Sequence, residues 1–170
     1  IRIQEIKVLT IFGVVLFIVC LAFFSPKTKI SEMISTNLTG SGTIADPFLI
    51  DNAQDLLWIS EEVNAGNEFN DCYFCQTSNI DMNEIENWIP IGNDQFSFGG
   101  IYEGNGYYLK NLNIENENAA LFYTLNGAIC NLGIESGRIE GTRCASFAIF
   151  QKSSDAAIID CYSKAQLIGD

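Results

Sequence analysis

The stretch GGIYEGNGYYLKNLNIENENAALFY, residues 99–123, sets apolar residues in ones and twos, with Gly or Asn punctuating them every few positions. The pattern is too broken for an amphipathic helix, whose apolar residues recur at i, i+3, i+4 and i+7, and too short-stepped for sandwich strands. Its core, LKNLNI at 109–114, has two counterparts, ICNLGI at 129–134 and IIDCYS at 158–163. Each runs from an apolar residue through a spacer to Asn or Asp, followed by two alternate positions. The Asn and Asp positions are 111, 131 and 160, giving steps of 20 and 29 residues. A period in this range marks a solenoid, in which one repeat is one turn of the coil.

The alternation slips by one residue at the polar position. Leu109 and Asn111 share a face, yet the apolar pair that comes next is Leu112 and Ile114. A single residue in the left-handed region produces that slip, and Asn and Asp tolerate this conformation better than other non-glycine residues. The expected architecture stacks coil on coil, with like residues about 4.8 Å apart. Asn111, Asn131 and Asp160 then share one corner. Leu109, Ile129 and Ile158 form an inward ladder before it, and Leu112, Leu132 and Cys161 another just after it.

Working outward, PFLI at 47–50 reads as a short strand, and DNAQDLLWISEEVNAG at 51–66 as a helix. Asn52 can cap it, Leu56, Ile59 and Val63 fall on one face, and Gly66 can end it. At the front, VLTIFGVVLFIVCLAFF at 8–24 is an uncharged apolar run. It is at the short limit for a membrane span and slightly long for a signal-peptide core. Residues 1–24 are therefore expected to be a signal peptide or a membrane anchor, and either one sends the rest of the chain across a membrane. Residues 25–42 read as a polar linker and 43–170 as the β domain. Asn37-Leu38-Thr39 is a glycosylation sequon.

The chain of 170 residues has a formal charge of −12 and no histidine. The charge argues against nucleic acid and against docking on anionic lipid. The missing histidine removes Ser-His and Cys-His nucleophile pairs and His metal sites.

The order of motifs resembles that of right-handed parallel β-helix proteins carrying GLUG-type repeats, found in secreted and surface proteins of bacteria. GSGTIADPFLI, DLLWISEEVNAG, YFCQTSNIDM, WIPIG, FGGIYEGNGYYLKNLNI and AALFYTLNGAICNLGIESGRIEG keep that pattern in order over about residues 40–170. The chain departs from the family's glycines at Ala119, Ala120 and Tyr123, and again at Ala145, Ser146 and Ile149. The resemblance implies a mainly β right-handed solenoid with an N-terminal capping helix and three to four coils.

Several constellations could carry chemistry. Cys72-x-x-Cys75 could be a redox dithiol or half a zinc site, but it lies in a β run and has no further ligands arranged for it, so packing or an ordinary disulfide is the plainer reading. Asp81, Asn83, Glu84 and Glu86 offer oxygens for calcium without the glycine and final Glu of an EF-hand loop. Trp88, Tyr102, Tyr107 and Tyr108 could form a sugar-stacking surface, although strand aromatics are more often core. No catalytic carboxylate pair is recognisable, and no cofactor is expected. The reading is a non-catalytic secreted or cell-surface module for adhesion, or for binding a glycan or a cell-surface protein. Its alternative is the N-terminal part of a polysaccharide-degrading enzyme with catalytic residues elsewhere.

Overall fold

The computed structural model describes residues 38–169, and the expected signal peptide or anchor at 1–24 lies outside them. The described chain is a parallel β-solenoid of about five turns with one short helix. Leu38, within the stretch 25–42 read as a linker, is buried in the core. Among the described residues, no helix is long and apolar enough to cross a membrane.

The first turn holds β1 (Phe48–Ile50) and α1 (Ala53–Asn64). Asn52 caps α1, its side-chain oxygen accepting from the N–H groups of Gln54 and Asp55. Leu56, Ile59 and Val63 are buried at helical spacing, and Gly66 comes after the helix at φ 111°. Burying each such side chain contributes roughly 1.5–3 kcal/mol.

The second turn holds β2 (Tyr73–Gln76) and β3 (Ile80–Asp81). The third is complete, with β4 (Ile101–Glu103), β5 (Tyr108–Lys110), β6 (Leu112–Glu115), β7 (Asn118–Ala119) and β8 (Phe122–Leu125). The fourth repeats it with β9 (Ala128–Cys130), β10 (Gly133–Ile134), β11 (Gly137–Gly141), β12 (Arg143–Cys144) and β13 (Ala148–Gln151). The fifth holds β14 (Ala157–Ile159), β15 (Tyr162–Ser163) and β16 (Gln166–Gly169). Beyond the strand and capping helix of the first turn, the described residues hold four further turns, in keeping with the three to four coils expected.

Every strand pairs in parallel with its counterpart one turn away, β1-β2-β4-β9-β14 being the longest stack. Its inward row is Phe48, Phe74, Tyr102, Ile129 and Ile158. A second inward row joins Ile80, Leu109 and Ile134, and a third Ile114, Ile139 and Leu167. Phe98 lies between Phe74 and Phe122, with ring centroids 5.6 and 5.1 Å away. In the last turn Ile158 and Leu167 are 41% and 47% exposed, because among the described residues no further strand lies beyond them.

The register corrects the expected ladders. Leu109 pairs with Ile134, not Ile129, and Leu112 pairs with Gly137, not Leu132. Ile129 and Ile158 do share a rung, and Leu132 and Cys161 directly precede the paired Gly133 and Tyr162. Asn111, Asn131 and Asp160 all adopt the left-handed backbone, with φ of 59°, 51° and 52°. They do not share one corner. Asn111 joins β5 to β6, whereas Asn131 joins β9 to β10 and Asp160 joins β14 to β15. One turn contains two such corners, so the 20-residue step links different corners of neighbouring turns.

Candidate binding groove

A groove of about 470 Å³ runs between α1, the segment 89–94 and the outer side of the third turn. Its wall on α1 includes Leu57 and Glu61, one turn apart on the helix. Two half-buried contacts tie α1 to the segment below. Ser60 Oγ donates to the Ile89 carbonyl at 2.9 Å, and Asn64 Nδ2 to the Pro90 carbonyl at 3.1 Å.

The segment is equally fixed from the other side. Ile91 N–H donates to the Leu121 carbonyl and Tyr123 N–H to the Ile91 carbonyl, at 3.0 and 2.8 Å. Asn93 closes the turn, its Oδ1 accepting from the N–H groups of Gln95 and Phe96 while its Nδ2 reaches Asn64. Gly92 sits at φ 91°, where an added Cβ would meet the Phe96 carbonyl oxygen at 2.9 Å. No other residue fits that backbone easily.

Tyr123 projects from β8 and donates its hydroxyl to Asp94 Oδ1 at 2.5 Å. That bond to a carboxylate pushes the phenol pKa up. The Tyr123 ring packs edge-on against Phe150, with centroids 5.3 Å apart. Asn116 and Asn118 complete the lining. Asn116 Oδ1 accepts from the Asn118 N–H, and the buried Asn118 Oδ1 has no partner.

The residues singled out in the sequence fall elsewhere. Trp88 is a core residue, 1% exposed, donating Nε1 to the Leu121 carbonyl at 3.0 Å. Tyr102 is also 1% exposed and donates its hydroxyl to Gln76 Oε1 at 2.9 Å, so neither ring can meet a ligand. Tyr107 and Tyr108 are half-buried and do not line the groove. Sequence reasoning missed Asn116, Asn118, Tyr123 and Asp94. The available signal was Tyr123, an aromatic beside the inward Phe122.

The oxygens considered for calcium do not converge. Asp81 is held by Lys110 Nζ at 3.0 Å, Asn111 Nδ2 at 2.9 Å and the Asn83 N–H at 3.2 Å. The amide of Asn111 and the ammonium of Lys110 hold its carboxyl below the usual range. Among the described residues, no three His, Cys, Asp or Glu side chains come together as metal ligands. Cys72 and Cys75 are free thiols, not a disulfide, and burial raises both pKa values, which disfavours the reactive thiolate.

One cluster has the residue types of a nucleophile and its base. Ser97 Oγ donates to Glu68 Oε1 at 2.5 Å, and Lys152 Nζ lies 3.3 Å from both Glu68 Oε1 and Ser97 Oγ. Ser97 is 0% exposed, however, so no substrate carbonyl can approach its oxygen. The cluster fastens residue 152 of the fourth turn to the second, a structural role.

No protein-family model matches the chain, and no curated protein matches it. Among solved structures it is similar to the crystal structure of a "putative immunoglobulin A1 protease" from Bacteroides ovatus, with a TM-score of 0.59 and 20% identity. The match covers 75% of this chain and 40% of that one. The chain thus spans less than half the length of that neighbour. The shared feature is the β-solenoid.

Proposed function

We propose that the chain is a non-catalytic module of a secreted or cell-surface β-solenoid protein, serving in adhesion or in binding a glycan or protein. The observation that carries this reading is the groove beside α1, whose walls present amides, carboxylates and apolar side chains on a braced backbone. Function in solenoids commonly lies on such side surfaces, which the stacked core holds rigid. The sealed hydroxyl of Ser97 supports the non-catalytic part of the reading. The apolar run at 8–24 and the acidity of the chain support export and a soluble outer face.

The test measures retention of the labelled full chain on surfaces coated with mixed glycans and with matrix proteins, alongside peptidase and polysaccharide-hydrolysis assays. Retention without turnover is expected. Failure to be retained on any surface, or turnover abolished by replacing one carboxylate or serine, contradicts the reading.

A further inference from the structure

Resting on that reading, we infer that the groove between α1 and β8 takes a neutral glycan, held by Asn116, Asn118 and Asp94 against the apolar sides of Leu57, Ile89 and Tyr123. The groove's volume of about 470 Å³ lies within the range of small-ligand sites, about 300–1,000 Å³. Its shape is set before any ligand arrives, because the segment 89–94 is hydrogen-bonded both to α1 and to β8. A preformed site avoids the entropic cost of ordering its own walls.

Charge decides which sugars fit. The lining includes the carboxylates of Glu61 and Asp94 and no lysine or arginine. Uronates, sialylated chains and sulfated chains would bring like charge into the groove without a cation to meet it. A basic peptide would gain from the same sign, but the Tyr123 hydroxyl already occupies one oxygen of Asp94. Glu61 is left as the lining carboxylate without a described side-chain partner, and one exposed carboxylate is a weak anchor for a cation. Hydrogen bonding is the richer resource. Asn and Asp groups supply donors and acceptors side by side, which suits adjacent hydroxyls. The exposed Ile89, 58% accessible, and the Tyr123 ring offer apolar surface for the C–H face of a sugar.

The test is calorimetric titration of the full chain with neutral gluco-, galacto-, manno- and xylo-oligosaccharides, with oligogalacturonate and sialyllactose, and with a Lys/Arg-rich peptide. At least one neutral oligosaccharide is expected to bind. Asn116→Ala should weaken it on the order of tenfold, the loss of one well-made hydrogen bond, and Tyr123→Ala should weaken it by a similar factor through loss of the apolar ring face. Tyr107→Ala, outside the groove, should leave affinity unchanged, and unchanged melting temperatures identify variants that still fold. Neutral-glycan binding indifferent to both groove variants would overturn the site. Binding of the acidic glycan or the peptide that those variants abolish would overturn the ligand class, yet leave the module reading standing. Binding of nothing in the panel overturns the inference; the module reading falls with it only if the coated-surface experiment is also negative.

Discussion

The backbone N–H of Asn111 donates to the hydroxyl of Ser136 at 2.9 Å, and Asn131 is not its neighbour in the stack. The corner between β5 and β6 is thus continued by Ser136, between β10 and β11. Asn131 closes the other corner, where its Nδ2 donates to both carboxylate oxygens of Glu103, at 2.9 and 3.1 Å.

This geometry separates two sources of stability at Asn131. Its φ of 51° is costly for a β-branched residue. Asn131→Val should therefore destabilise the protein by about 1–3 kcal/mol. Asn131→Gly keeps the conformation, loses the bond to Glu103 and should cost less. Chemical denaturation of both variants decides the matter; equal losses would assign the effect to the side chain instead.

The steps of 20 and 29 residues show how far the sequence could be read. The parallel solenoid, the helix with its Asn52 cap and the left-handed residues were legible, because each depends on local pattern. The register was not. Two corners of one turn use the same strand–Asn–strand grammar, so LKNLNI and ICNLGI look like one rung while lying at different corners. Turn length is set by pairing, 27 residues from Tyr102 to Ile129 and 29 from Ile129 to Ile158, and by loops that the pattern does not fix. The groove was illegible for a related reason. It joins α1 of the first turn to Asp94 of the second and Tyr123 of the third, and no sequence window contains all three.

Tyr102 provides a test of the polar core. Its hydroxyl is the donor to Gln76 Oε1, and Gln76 is itself 0% exposed. Tyr102→Phe leaves that acceptor unpaired in the interior and should cost roughly 1–3 kcal/mol. A change near zero on denaturation would mean that the amide finds another donor.

Acid stability should depend on the carboxylates whose pKa the fold lowers. Hydrogen bonds from Ser97 hold Glu68 below its ordinary 4.5, and Lys164 does the same to Glu135. The folded state then binds fewer protons than the unfolded state in acid, so stability rises with pH there. The contribution is complete above about pH 4.5, the ordinary glutamate value, and fades as pH falls through the lowered values. With no histidine in the chain, stability should be nearly flat from about pH 5.5 to 7.5. Glu68→Gln should shallow the acid limb of a melting-temperature profile; an unchanged limb would remove Glu68 from this account.

Export can be checked independently of the fold. A reporter fused after Asp170 should be found outside the cytoplasmic membrane when the apolar run 8–24 is present, and inside when that run is deleted. A reporter that is cytoplasmic in both cases would contradict the proposed location.

The register underlies the account, since the same stacking aligns the core and brings Tyr123 to Asp94. Solution NMR of the isotope-labelled chain tests it directly through short-range contacts between backbone protons of paired residues. Contacts are expected to link Tyr102 to Ile129, Ile129 to Ile158, and Leu109 to Ile134, all in parallel geometry. Contacts linking Leu109 to Ile129, or antiparallel pairing between any of these strands, would contradict it.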